Sequence, residues 1–531
     1  MKVLSAVEMA ETDRRTVEAG VSFEDLMEAA GEAVAAFCLR QYPGAARVML
    51  LCGKGNNGGD GLVAARVLAG EGVGVRVLLA GAASELKGEA SHALERLKQA
   101  TSDEIVEELD GEVELQALVA LLEEADLLVD AVVGTGFKPP LRGVALLLRD
   151  AVAKVHIPVV AVDLPSGWDA DSEEEKSAEA FRSDAVITFT APKPAHVFGH
   201  LTSTVFGAVV VAEIGSPDDA IQSANNLRWA GVSKRLTEAA RPVDSNKGMY
   251  GHVLVIGGSY GTAGAPSMAA LACLRAGAGL VTAGVPRELV GLVGAIAPEL
   301  MVRGLETKAE GSASLANLDQ LEELLKGIKV IALGPGLSTR GEASAFAREL
   351  VAKTTLPLVL DADGLNAFAG CAESLDGRGR TMVLTPHPGE MARLLGTTVA
   401  AVESDRVGLA RSFATKHQVT LVLKGWRTLI AHPDGSMAVN TSGNPALAKG
   451  GSGDILTGII AAMLAQYPEH VAQAVEAAVY LHGLAADFAA HAMDEKTVLA
   501  TDVIAHLSDA FRYRTRDEDG FDWLSGLRVS A

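Results

Sequence analysis

The sequence predicts an α/β protein of two domains, each a mostly parallel sheet covered by helices on both faces. Three observations carry this expectation. Short, continuous apolar runs alternate with helical patterns, as strands buried on both faces require. Many of these runs end in glycine-rich or acidic turns, and in such sheets ligands bind at the carboxyl ends of strands. The alternation lapses once, into the polar and irregular stretch 214–244, and then restarts, which places a boundary at about residue 222. The expected division is 1–221, 222–512 and a charged, aperiodic surface tail over 513–531.

In chain order, Ser22 and Asp25 form a capping signal that opens a helix running to about Tyr42. A buried strand at 47–52 meets the turn Gly53-Lys54-Gly55-Asn56-Asn57-Gly58, followed by a helix at 62–69, a strand at 75–80 and helices near 84–99 and 112–124. Strand 127–133 runs into Gly134-Thr135-Gly136, and strand 158–163 into Leu164-Pro165-Ser166-Gly167; strands 185–189 and 207–211 close the unit. In the second half, strand 252–256 enters Gly257-Gly258 and an Ala-rich helix starts at Pro266. Strand 330–333 enters Gly334-Pro335-Gly336, 358–360 enters Asp361-Ala362-Asp363, 382–384 enters Thr385-Pro386-His387 and 420–423 enters Lys424-Gly425. A glycine cluster at 450–453 opens a helix at 455–464.

Composition narrows the function. A chain of 531 residues is too long for a single core, and its net charge of −21, with no compensating basic run, argues against nucleic acid as a partner. The first residues lack the apolar core of a secretory signal, and no apolar stretch reaches the roughly 18 residues that span a bilayer. Cys38, Cys52, Cys273 and Cys371 are widely spaced, which suits neither zinc sites nor a disulfide framework and fits a reducing cytoplasm. The 56 glycines beside 4% aromatic residues anticipate tight turns and close backbone approaches.

The first domain's glycine turn matches G-x-G-x-x-G after a strand, but the acidic residue that a dinucleotide fingerprint needs at the end of the next strand is absent. Its polar content, Asn56, Asn57 and Asp60, suits ordered polar contacts or a cation; a tight turn with left-handed Asn is the plainer alternative. Asp130 lies inside an apolar strand and needs a partner or a cation, and Asp163 ends the next strand, so both acids project near one sheet edge. Together Asn56-Asn57-Gly58-Gly59-Asp60, Asp130 with Gly134-Thr135-Gly136, and Val162–Asp169 resemble the NAD(P)H-hydrate epimerase domain over about residues 1–220. The resemblance implies a Rossmann-like three-layer sandwich in which Asn57, Asp130 and Ser166 bind K⁺. It implies that Asn56, Asn57, Gly58, Gly59, Asp60, Gly134, Thr135, Gly136, Phe137, Lys138, Pro139, Pro140 and Asp163 contact the hydrated dinucleotide. Asp163 is the candidate acid/base and Lys193 a helper, a solvated loop lysine being the bland alternative for the latter.

In the second domain, Gly450-Gly451-Ser452-Gly453-Asp454 frees backbone N–H groups at a helix start to receive phosphate and sets a carboxylate beside them. Capping alone accounts for the Asp but not for three glycines. Lys424–Thr428 offers charge to a nucleotide, His387 sits between two prolines that fix its loop, and Asp361 and Asp363 share an adjacent strand end. With Gly257-Gly258-Ser259, Gly264-Ala265 and Gly334-Pro335-Gly336, these residues resemble the ribokinase-like superfamily, and within it the ATP- or ADP-dependent NAD(P)H-hydrate dehydratases, over about 230–510. Ser452 stands where that family often has Thr. The resemblance implies that Ala265, Gly336, His387 and Asp454 contact the hydrated cofactor. It implies that Lys424, Gly425, Trp426, Arg427, Thr428 and Gly453 contact ADP or ATP, that Glu390 partners Mg²⁺ through water, and that Asp454 is catalytic.

The expected function is repair of hydrated NADH and NADPH: the first domain interconverts the R and S hydrates, and the second dehydrates the S epimer at the expense of a nucleotide, in a cytoplasmic homo-oligomer. The alternative is a ribokinase-like vitamin-precursor kinase fused to a non-catalytic nucleotide-binding module.

Overall fold

The computed structural model describes residues 1–109 and 113–528. The chain divides into two compact units, one comprising Met1–Asn225 together with the chain from Thr515 onward, the other Asn226–Arg514.

The first unit holds strands β1 (Arg47–Cys52), β2 (Gly74–Leu79), β3 (Val106–Glu108), β4 (Leu127–Ala131), β5 (Val159–Val162), β6 (Ala185–Phe189) and β7 (Ala208–Ala212). Their order is 7-6-5-4-1-2-3, all parallel, so the chain reverses direction across the sheet between β1 and β4. Alternation fills both faces: Val48, Leu50 and Cys52 pack under helices Phe23–Gln41, Asn56–Gly70 and Glu89–Ala100, while Met49 and Leu51 point to helices Leu115–Leu122 and Gly143–Val152. Ser22 and Asp25 close the expected capping box.

Two expectations change here. Of the expected 513–531 tail, the segment 513–528 is not a surface tail: strand Asp522–Ser525 pairs antiparallel with β7, and Phe521 and Trp523 enter the core. Its charges mask the pattern, because Asp517 is spent locally, accepting from the Trp523 indole at 2.8 Å and the Phe521 N–H at 2.9 Å. The Asn56–Asp60 segment is not a turn before a helix at 62–69 but the helix's first turn, with Asn56 and Asn57 helical. Gly58 permits this, since a Cβ there would lie 1.9 Å from the Gly53 carbonyl oxygen. Of the expected helix 112–124, residue 112 lies outside the described residues, as do 529–531 of the expected tail.

The second unit holds β8 (Leu227–Trp229), β9 (His252–Ile256), β10 (Leu280–Pro286), β11 (Met301–Leu305), β12 (Val330–Leu333), β13 (Leu358–Leu360), β14 (Met382–Leu384), β15 (Thr420–Leu423), β16 (Leu429–Ala431) and β17 (Met437–Val439). The order is 11-10-9-12-13-14-15-16-17-8, parallel from β11 to β15 and then antiparallel through β16 and β17; the reversal falls between β9 and β12. Sequence periodicity missed β8, β10, β11, β16 and β17, the first of which lies in the stretch read as irregular. Helix Ser452–Gln466 packs across β9, β12 and β13, followed by helix Val471–Ala492. No helix among the described residues is long and apolar enough to cross a membrane.

Candidate active sites

In the first unit, a cavity of about 770 Å³ opens where the sheet order reverses. Its walls include Asn56, Asn57, Gly134–Phe137, Asp13, Asp60, Asp163 and Lys193. Asp163 leaves β5 with φ 65°, a left-handed conformation that aspartate tolerates better than most residues. Its Oδ2 accepts from the Thr135 N–H (2.7 Å) and hydroxyl (2.6 Å), and its Oδ1 from the Thr188 hydroxyl (2.9 Å) and Lys193 Nζ (2.9 Å). Four donors occupy the carboxylate's four acceptor positions. Burial alone would raise the Asp163 pKa, but Lys193, His196 and the Thr135 hydroxyl outweigh it and hold the group well below the usual carboxylate range. Lys193 is buried, not a solvated loop residue.

His196 Nδ1 accepts from the Lys193 N–H at 3.0 Å, so its Nε2 carries the proton donated to the Asp163 carbonyl at 2.7 Å. Burial, helped by the Lys193 ammonium, pushes the His196 pKa down to about 4 and keeps the ring neutral. Asp13 and Asp60 differ sharply from Asp163: among the described residues neither carboxyl has a hydrogen-bond partner. Burial pushes Asp13 up to about 6, with Lys193 opposing and Asp163 reinforcing; burial and the charges of Asp163 and Asp13 push Asp60 well up from the usual carboxylate range.

Asp130 is fully buried in β4, where its carboxylate accepts from the Ser166 N–H (2.7 Å) and hydroxyl (2.6 Å), and burial lifts it to about 6. The Ser166 hydroxyl oxygen also accepts from the Val133 N–H at 2.9 Å. Asn57 Oδ1 lies against Gly134, where a Cβ would come within 2.9 Å of it, and its Nδ2 is buried without a partner among the described residues. Asn57, Asp130 and Ser166 thus converge on the 132–134 turn as an oxygen donor set, which fits a hard cation such as K⁺.

Other expected contacts stand elsewhere. Gly58 and Gly59 are packed against Gly53 and Met27. Lys138 is paired with Asp169 at 2.7 Å and Asp171 at 2.9 Å. The Pro139–Pro140 pair, joined by a cis peptide bond, lies outside the cavity lining.

In the second unit, a cavity of about 610 Å³ is lined by 424–428, 440–445, 451–454, Asp361, His387, Glu390, Lys449 and His482. Helix Ser452–Gln466 begins after Gly451 (φ 97°) without a side-chain cap; the Ser452 N–H donates to the Lys449 carbonyl at 3.4 Å, and the N–H groups of Gly453 and Asp454 are left to bind an anion. Lys424 Nζ donates to Asp361 Oδ1 at 2.9 Å and lies 3.7 Å from Glu390; Thr385 donates to the same Asp361 oxygen at 2.7 Å. Burial presses the Lys424 pKa down, but Asp361 and Glu390 more than offset it. Burial, then the charge of Asp361, pushes Asp454 up to about 7. A Cβ on Gly453 would sit 3.2 Å from Lys424 Nζ.

His387 caps helix Pro388–Leu395: its Nδ1 accepts from the N–H groups of Gly389 and Glu390, while Glu390 Oε2 accepts from the His387 backbone N–H at 2.8 Å. The Nε2–H is thereby left beside Glu390 Oε1, 3.6 Å away. Glu390 is buried with only this loose neighbour at Oε1, which suits an indirect, water-mediated contact to Mg²⁺. Arg427 (φ 51°) donates to the Thr441 carbonyl at 2.6 Å and its guanidinium lies over Trp426, fixing the 425–428 turn. Asp363, in the short helix Ala362–Asn366, accepts from the Ser338 N–H at 2.8 Å.

Gly336 (φ 64°) and Ala265 adjoin each other, a Cβ on the former falling 3.1 Å from the Cβ of the latter, but neither lines this cavity. Sequence reasoning missed Asp13, Thr188, His196, the 440–444 loop and its anchor Asp487, and His482. The polar run Asn440-Thr441-Ser442-Gly443-Asn444 was the available signal for the loop; Asp13 had none, lying among other charges on helix Ala6–Glu18.

Comparison with known proteins agrees with this division of labour. Residues 253–509 match the family described as NAD(P)H-hydrate dehydratase, and residues 23–195 the family described as YjeF-related protein N-terminus. The chain is similar to the bifunctional NAD(P)H-hydrate repair enzyme Nnr of Moorella thermoacetica, 40% identical over 96% of this chain and 97% of that protein. It is similar to the enzyme of the same name from Coxiella burnetii, 38% identical over 94% and 97%. The ADP/ATP-dependent NAD(P)H-hydrate dehydratase of Bacillus subtilis, crystallised with ATP and Mg²⁺, covers 55% of the chain and 99% of its own at 32% identity and a TM-score of 0.46. Similarity along nearly the whole chain to two-activity repair enzymes leaves the kinase-and-binding-module alternative unsupported, and the chain belongs to the family of bifunctional NAD(P)H-hydrate repair enzymes.

Proposed function

We propose that the two units act in sequence on hydrated NADH and NADPH, the first interconverting the R and S hydrates and the second returning the S hydrate to the reduced cofactor. The carrying observation is the placement of Asp454 in the uncapped first turn of helix Ser452–Gln466, beside Lys424. A carboxyl pushed up to about 7 is matched to accepting a hydroxyl proton near neutral pH. Asp454 takes the proton of the C6 hydroxyl as that oxygen attacks the terminal phosphoryl group of ADP or ATP. The N–H groups at the helix start and Lys424 receive the charge on the transferred phosphoryl group; phosphate then leaves C6 and a proton leaves C5, whose bonding pair forms the C5–C6 double bond and restores the dihydropyridine. Gly425–Thr428 and Gly453 hold the nucleotide, and His387 Nε2–H contacts the hydrate together with Ala265 and Gly336. Glu390 would hold Mg²⁺ through water, which supplies positive charge to the phosphates.

In the first unit, Asp163 accepts the C6 hydroxyl proton, the rotatable Thr135 hydroxyl being the bond that yields to substrate, while Lys193 fixes the carboxylate. Asn56, Asn57, Asp60 and Gly134–Phe137 bind the dinucleotide. Asn57, Asp130 and Ser166 would hold K⁺, whose charge offsets the buried carboxylate. Soluble cofactors as substrates suit an enzyme that works in the cytoplasm.

The test supplies separated R and S hydrates with ADP or ATP to the full chain. The S hydrate is expected to yield NADH or NADPH with phosphate, and the R hydrate to be consumed only through exchange. A stable phosphorylated alcohol in place of the reduced cofactor would overturn the reading.

A further inference from the structure

Three of the four carboxyl groups lining the first cavity, Asp13, Asp60 and Asp163, stand in two kinds of environment, the fourth being Glu89. Asp163 is saturated by four donors and fixed as an anion. Asp13, from helix Ala6–Glu18, and Asp60, from helix Asn56–Gly70, line the same cavity with no hydrogen-bond partner among the described residues. A desolvated carboxyl without donors is stable as the neutral acid, and the charged groups sharing its cavity decide how far. Those facing Asp13 are Asp60, Asp163 and Lys193, with Lys54 and Glu89 elsewhere on the wall. Two carboxyl environments pushed apart in one cavity mark an acid and a base.

We propose that Asp13 is the proton donor of the first unit's reaction, working opposite the ionised Asp163. This rests on the reading of that unit as the epimerase. The hydrate carries its C6 hydroxyl on the carbon bonded to ring nitrogen N1. Asp163 accepts the hydroxyl proton as the C6–N1 bond breaks; the bonding pair goes to N1, which takes the proton of Asp13, and C6 becomes an aldehyde carbon. Rotation about C5–C6 presents its other face. N1 then attacks C6, its proton returns to Asp13, and the new hydroxyl takes the proton from Asp163, so that both carboxyl groups end as they began. No redox partner is needed.

An acid must be protonated to act, so exchange is present below the Asp13 pKa and lost as pH rises through it; in the free cavity that pKa is pushed up to about 6. The experiment follows exchange of separated hydrates by the full chain without nucleotide, which idles the second unit, across a pH series. Asp13→Asn is expected to slow exchange by about 10²–10⁴-fold and to remove the fall at high pH, while dehydration of the S hydrate with ATP and the Tm stay as in the parent. Asp13→Glu is expected to restore part of the rate and the fall at high pH. Unchanged exchange in folded Asp13→Asn would overturn the proposal, as would a slowed rate with the parent's pH profile. Failure of the parent chain to exchange the hydrates at all would instead overturn the epimerase reading.

Discussion

Glycine-rich segments border the main cavity of both units, but they meet different surroundings. In the first unit a Cβ on Gly58 would lie 1.9 Å from a backbone oxygen, one on Gly59 2.6 Å from Met27 Sδ and one on Gly61 2.7 Å from the Ala131 Cβ. These glycines press a helix onto its neighbours, and the chemistry beside them falls to Asp163, Lys193, Asp13 and Asp60. In the second unit nothing lies within 4 Å of the corresponding position on Gly450, and Gly453 faces the Lys424 ammonium at 3.2 Å. There Gly451 packs on Met268, a Cβ on it falling 2.7 Å from Met268 Cε, but Gly450 and Gly453 leave backbone N–H groups open for an anion. The same residue type in similar motifs thus serves packing in one unit and ligand access in the other.

Mutagenesis can break or sharpen that contrast. The largest effect is expected from Asp454→Asn, which should lower the dehydration rate about 10³-fold or more while R–S exchange continues, measured with separated hydrates. Asp163→Asn should do the converse, lowering exchange by about 10²–10⁴-fold and sparing dehydration of the S hydrate. Loss of both activities in a folded variant would show that the sites are not independent. A smaller effect tests the glycines directly. Gly58→Ala should destabilise the first unit by about 1–3 kcal/mol through overpacking, seen as a lowered Tm, whereas Gly453→Ala should keep its Tm and raise the nucleotide KM. The reverse pattern would dissolve the contrast. The mildest is a pH effect: Asp454 must be ionised to act, so dehydration should rise as pH climbs through about 7, the value to which burial and Asp361 push it, followed as kcat/KM against pH.

Strand-end residues were the most legible part of the sequence, because a polar group after a continuous apolar run has few places to go. Asp163, Asp361 and Lys424 could be read in this way and stand at cavity walls. Asp13 could not. Helix Ala6–Glu18 also carries Glu8, Glu11, Arg14, Arg15 and Glu18, so one more charge reads as solvated until tertiary packing turns it inward. His482 is hidden for the opposite reason: it sits in an almost wholly apolar helix and lines the cavity with Nε2 unpartnered among the described residues. The short strands β16 and β17 escaped because three residues show no period, and only pairing defines them, β16 with β15 and β17 with β16 and β8.

Strand Asp522–Ser525 makes the second unit an insertion in the first, and this bears on how the chain comes into being. During synthesis β7 emerges with one edge unpaired, an apolar Ala208–Ala212 ribbon of the kind that recruits stray strands. The strand that covers it follows only after all of 226–514 has been made. The unit that starts first is finished last. Cutting the chain near residue 222 therefore yields an incomplete epimerase with a sticky border, whereas joining residue 225 to residue 515 through a short linker would return its missing strand.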